Sequence, residues 1–148
     1  MSFAVFSGRR LGLYSLAALA GGLLLLAADS DLRSWLRGAA IYHGYVERPG
    51  RIMGHQSDLP AEASRCANCH DAPVNSNTQR GVAVLSSVTL VENHSRRGGP
   101  PVAYTEESFC TFLQSGVDPA FVMADRTMPR FSLNDDDCAA LWRYVSSR

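Results

Sequence analysis

The sequence predicts an all-α fold, in which an N-terminal transmembrane helix precedes one small helical domain. Three observations predict it. Leu11 to Ala28 is an uncharged run of 18 residues. Beyond it, apolar residues recur at spacings of three and four behind helix-capping residues. No pair of alternating runs is present to build a sheet. The 148 residues suit one domain plus an appendage and exclude a multidomain enzyme with its own nucleotide fold. The chain is accordingly divided into 1–28, an anchor or signal segment, and 29–148, the folded domain. The formal net charge is +0. Residues 1–28 carry Arg9 and Arg10 and no acid, which leaves 12 arginines against 14 acids in the remainder, net −2. A basic footprint for nucleic acid is absent.

At about 1.5 Å per residue the apolar run reaches roughly 27 Å as a helix, enough to cross a bilayer core. Arg9 and Arg10 precede it, and Asp29, Asp31 and Glu47 follow. The positive-inside rule leaves the N-terminus in the cytoplasm and delivers the domain to the far side. A cleaved signal peptide is the competing reading. Against it, the run exceeds the usual apolar core of about 7–15 residues, and Leu26 spoils a small-x-small cleavage pattern ending at Ala28. Both readings export the domain. The expected location is a bacterial inner membrane, single-pass, with the domain on the periplasmic side.

Ser30 is a cap for a first helix in which Leu32, Trp35, Leu36 and Ala39 fall at helical spacing, ending near Gly44. Glu47 to Ala61, with Pro49-Gly50, Gly54 and Pro60, reads as a loop. The stretch GVAVLSSVTLV, from Gly81, has the β-branching of a strand but no evident partner, and no element is assigned to it. Arg96 to Pro101 reads as a rigid, solvated connector. Thr105 caps a helix with Glu106 and Glu107 in its first turn, Phe109, Phe112 and Leu113 on its apolar face, and Gly116 at its end. Asp118-Pro119 predicts a short helical turn through Met123. Asn134 opens a last helix with three aspartates in its first turn. Cys138, Leu141, Trp142 and Val145 form its stripe at i, i+3, i+4 and i+7.

Four cysteines are too few for a disulfide-dense scaffold, and their placement is what informs. Arg65-Cys66-Ala67-Asn68-Cys69-His70 contains Cys-x-x-Cys-His. Two thiols so spaced can add to the two vinyl groups of one haem, and the adjacent histidine then reaches the iron. This is the attachment signature of c-type haem. A redox Cys-x-x-Cys calls for a thioredoxin-like βαβ pattern, which is missing around Cys66. A structural zinc site calls for a second close pair, whereas Cys110 and Cys138 lie 28 positions apart. The expected cofactor is one covalently attached haem c, held by Cys66 and Cys69 through thioethers with His70 as proximal iron ligand.

From here the chain resembles the class I cytochromes c, over roughly Gly38 to Val145. Met128-Pro129-Arg130-Phe131 ahead of Leu133-Asn134-Asp135 is similar to the family's ligand loop and final-helix cap. Gly38 and Tyr42 match its glycine and aromatic on the first helix, and Leu141 and Tyr144 their partners on the last. The resemblance implies a small class I cytochrome c-like helical domain around one haem. Two departures are the roughly 20 residues between the first helix and Cys66, where the family has only a few, and Asp71 in place of the glycine common after the haem-binding histidine.

Met128 is the expected distal iron ligand, since a thioether opposite histidine is what low-spin electron carriers use to raise their potential. Pro129 stiffens its loop. The alternatives are Met123, a histidine (His94 or His55), an open site, or Met128 as core filling. Pro73 is the candidate carbonyl for orienting the proximal imidazole. Arg96 and Arg97 could neutralise haem propionates. Cys110 and Cys138, in an oxidising compartment, are expected to pair; two separate buried thiols are the alternative.

These features predict an electron carrier rather than an enzyme: a membrane-tethered periplasmic monohaem cytochrome passing single electrons between redox partners. Those partners would be a periplasmic dehydrogenase upstream and a membrane oxidase or quinol-oxidising complex downstream, and the chain could be a subunit of one of them. The competing functions are a haem-based gas or redox sensor and a small peroxidase-like enzyme, both of which need an exchangeable sixth position.

Overall fold

The structure is a computed structural model and describes residues 29–71 and 82–148. Residues 29–43 form helix α1. There follow β1 (Gly50–Arg51), α2 (Cys66–His70), α3 (Ser87–Val91), α4 (Glu106–Ser115), β2 (Arg130–Phe131) and α5 (Asp135–Ser146). The chain divides into two compact units between Arg33 and Ser34, and the packing described here is that of residues 34–148.

The expected fold class is corrected. The described residues are mostly helical, with five helices, but they also hold a two-stranded antiparallel sheet in which Gly50 pairs with Phe131 and Arg51 with Arg130. Two-residue strands are too short to leave an alternating pattern, which is why the sequence hid them. Among the described residues no helix is long and apolar enough to cross a membrane. Helix α1 carries Asp29, Asp31, Arg33 and Arg37, whose desolvation in hydrocarbon would be costly. The expected transmembrane helix over residues 11–28 lies outside the described residues.

Helix α1 crosses α5 at Gly38. A Cβ there would fall on the Ala140 carbonyl, 2.6 Å from its carbon and 2.8 Å from Tyr144 Cβ. This close approach lets Tyr42 pack on Tyr144 with ring centroids 5.3 Å apart, and Trp35 edge-on to Tyr144 at 5.1 Å. Asp137, 1% exposed, ties the crossing from below: Arg37 and Arg48 both pair with its carboxylate at 2.5 Å. Gly44, at φ +77°, ends α1. Ser30 is itself helical and therefore does not cap α1.

The capping chemistry of the other long helices follows the sequence. Thr105 accepts from the Ser108 backbone N–H while the Ser108 hydroxyl accepts from that of Thr105. Gly116 closes α4 in the left-handed conformation at φ +75°. Asn134 accepts from the Asp137 N–H at the start of α5. A disulfide joins Cys110 in α4 to Cys138 in α5, with Cα atoms 5.9 Å apart. Phe109, Phe112 and Leu113 face Leu141, Tyr144 and Val145 in one buried cluster.

Two local expectations change. Asp118 starts a turn rather than a helix, because its carboxylate captures the N–H groups of Ala120 and Val122, at 2.9 and 2.8 Å, before a helical ladder can form. The second half of the stretch from Gly81 folds as α3. Ser86 caps it reciprocally with Thr89, and a local capping box here outweighs β-branched propensity.

Candidate functional site

A cavity of about 500 Å³ opens between α2, α3, α4 and the loop before β2. That volume is within the roughly 300–1,000 Å³ usual for cofactor sites. Cys66, Cys69 and His70 line one part of it and Met128 and Pro129 another, with Leu90, Phe112, Leu113, Leu141 and Val145 among its apolar walls. The two thiols and the imidazole come from a single turn of helix, α2, so the spacing in sequence becomes one face in space. Among the described residues no group of three or more His, Cys, Asp or Glu is placed to hold a metal ion by itself. The donors that line it are two thiols, the imidazoles of His70 and His94, and the Met128 thioether, set in a mostly apolar cavity. That donor set fits a haem better than a bare ion.

His70 is already oriented. Its Nδ1 lies 2.7 Å from the Ala83 carbonyl, which makes Nδ1 the protonated nitrogen and leaves Nε2 as the electron-pair donor. Burial holds its pKa below the ordinary histidine value, which favours the neutral imidazole. Pro73, expected to supply the orienting carbonyl, lies outside the described residues, and the bond is made by Ala83. A backbone acceptor thirteen residues downstream leaves no mark in a sequence. Burial pushes the Cys66 thiol up to about 12.

A second layer of contacts lies next to His70 in the chain. Asp71 accepts from the Tyr42 hydroxyl and from Arg148, both at 2.7 Å. Burial works to raise the Asp71 pKa, but these two donors outweigh it and hold the carboxyl below the usual carboxylate range. The Arg148 guanidinium also lies over the Tyr42 ring, 4.6 Å from its centroid. Sequence reasoning found Asp71 only as a departure from a family pattern and missed Arg148 altogether.

Of the residues weighed for the distal position, Met128 and His94 line the cavity, whereas Met123 and His55 do not. Met123 is 54% exposed. Met128 packs against the buried core, while His94 is exposed and its backbone bridges to Val102. The segment from Glu47 to Ala61 reaches the same loop: a Cβ on Gly50 would lie 2.9 Å from Phe131 Cε1 and 3.0 Å from Pro129 Cβ.

Arg96 and Arg97 also line the cavity, and the stretch from Arg96 to Pro101 to which they belong is mostly exposed. Arg96 donates to the backbone carbonyls of Val102 and Thr89 and lies 4.7 Å over the Tyr104 ring. Arg97, at φ +48°, pairs with the buried Asp118 at 2.5 Å. Both guanidiniums are engaged by the protein itself.

Set against protein-family models, curated protein sequences and solved structures, the chain finds no match. The functional reading therefore stands on the residues and their geometry.

Proposed function

We propose that the chain is an exported c-type cytochrome that carries single electrons between redox proteins at the periplasmic face of the inner membrane. The observation that carries this reading is the shared cavity: the Cys66–His70 helix and Met128, 58 positions further along the chain, line one mostly apolar space of about 500 Å³. Cys66 and Cys69 would hold one haem c by thioethers, with His70 and Met128 as its axial ligands. The haem supplies a one-electron iron couple when bound. The export side rests on the sequence of residues 1–28, and the resemblance to class I cytochromes c in the motif residues supports the same chemistry.

The chain's own contribution is to hold those groups still. Ala83 fixes the tautomer and the plane of the His70 ring, which keeps Nε2 available to metal. The disulfide joins α4 to α5, the two helices that flank the Met128 loop in sequence. The apolar walls exclude water, and a low-dielectric surround with a thioether donor favours the reduced, less charged state and so a raised potential. A site filled on both sides performs no substrate chemistry, and the partners are redox proteins: a dehydrogenase as donor, an oxidase or quinol-oxidising complex as acceptor.

Absorption spectra of the purified holoprotein, oxidised and reduced, with and without carbon monoxide, test the reading. A low-spin spectrum with the sulfur-to-iron charge-transfer band in the oxidised form, indifferent to the gas, is expected. A high-spin or gas-binding form would move the function to sensing or peroxidase chemistry.

A further inference from the structure

Arg130 stands two residues beyond Met128, and it is only partly exposed. Its Nη1 donates to the Met128 carbonyl at 2.7 Å. Its Nε and Nη2 are buried with no hydrogen-bond partner among the described residues. A surface arginine ordinarily snorkels to solvate its head, and a buried charged group with unmade bonds is among the more costly features a fold can keep. Something must hold the guanidinium there.

The seat is Gly116. This residue ends α4 at φ +75°, and any Cβ on it would fall on the Arg130 guanidinium. Glycine is therefore needed twice, for the left-handed turn and for the space. Carbonyls of that turn are already used: Gly116 accepts from the Ala124 N–H and Phe112 from the Gly116 N–H, both at 2.7 Å. The guanidinium is thus wedged between the end of α4 and the Met128 loop with the Met128 carbonyl as its acceptor. The pairing of Arg130 with Arg51 across β1 and β2 fixes its backbone as well.

We infer that Arg130 is the positioning residue of the distal ligand, a strap from the end of α4 to the Met128 carbonyl that keeps the thioether turned into the cavity. The inference rests on the reading of Met128 as iron ligand. Breaking the strap removes a charge-assisted bond and loosens the ligand-on state about tenfold or more. In a titration of the oxidised holoprotein toward alkaline pH, where loss of the thioether is coupled to release of one proton to solvent, that moves the pH at which half the sulfur-to-iron band is lost downward by about one unit.

The experiment titrates wild-type holoprotein, Arg130→Leu and Arg130→Lys, with Arg126→Leu as an exposed-arginine control. A band that disappears at lower pH in Arg130→Leu, with Arg130→Lys between it and wild type and Arg126→Leu unchanged, supports the strap. An Arg130→Leu band that persists to the wild-type pH overturns it while leaving Met128 as ligand. A wild-type protein without the band overturns both. If Arg130→Leu yields no folded haem protein, Arg130→Lys decides alone. It keeps the charge but not the planar fork, so a lowered midpoint supports the inference and an unchanged one overturns it.

Discussion

Gly38→Ala offers the sharpest test of the packing that shapes the cavity, because two effects of opposite sign compete. In an exposed helix the change would stabilise by about 1 kcal/mol through lower backbone entropy in the unfolded chain. Here the new Cβ would fall on the Ala140 carbonyl, 2.6 Å from its carbon and 2.8 Å from Tyr144 Cβ, whereas ordinary contacts are 3.4–4 Å. The helix backbones must part by roughly 0.6–0.8 Å or more to relieve these two contacts. A backbone carbonyl cannot rotate out of the way, so the cost belongs at the upper end of the overpacking range, about 3 kcal/mol. The net expectation is destabilisation by about 2 kcal/mol, or a melting point lower by roughly 10 °C for a domain of this size. Denaturant and thermal unfolding of the oxidised, disulfide-intact domain measure it. A variant as stable as wild type, or more so, would refute the close crossing of α1 and α5.

Three further outcomes are expected. Asp137→Asn should destabilise by about 2–3 kcal/mol at neutral pH, less than a fully buried pair would lose because Arg37 is half exposed and can rehydrate. Burial raises the Asp137 pKa, but Arg48 and Arg37 outweigh it and hold the carboxyl below its ordinary value. Its stabilisation is therefore present above the unfolded-state pKa and lost as pH falls through the folded one. Acid unfolding curves should then be flatter in Asp137→Asn, and equal slopes would count against the network. Reducing the Cys110–Cys138 bridge, or replacing both cysteines by serine, should cost about 3–4 kcal/mol, the loop-closure entropy of a 28-residue separation; equal melting with and without reductant would contradict this. Asp71→Asn should raise the midpoint potential and Arg148→Gln should lower it, since one removes a negative and the other a positive charge beside His70. Potentiometric titration reads both, and shifts of the opposite sign would sink the assignment.

The helix ends around the site were legible in the sequence because their signals are local. Thr105, Gly116 and Asn134 act on backbone groups within four residues of themselves, and Cys66, Cys69 and His70 are gathered by a single helical turn. The Cys110–Cys138 pairing was legible from compartment chemistry. What escaped was long-range or made by backbone atoms. The Ala83 carbonyl, the seat of Arg130 on Gly116, and the sheet of β1 with β2 exist only once distant segments meet. Asp118 shows a local failure of another kind: aspartate followed by proline suits both a helix start and a side-chain-held turn, and Phe121 at φ +61° shows that the turn won. The all-α expectation failed on an element four residues in all, yet that element joins the 44–65 segment to the Met128 loop.

The central claim is that Cys66 and Cys69 carry a haem by covalent bonds. It is tested most directly by purifying the chain from cells that attach c-type haem, denaturing it in acid, and extracting with organic solvent. The haem is expected to stay with the polypeptide, its pyridine complex to have the spectrum of two thioether links, and Cys66→Ser or Cys69→Ser to shift it to that of one. Haem that passes into the solvent, or a chain that emerges without any, would contradict the account.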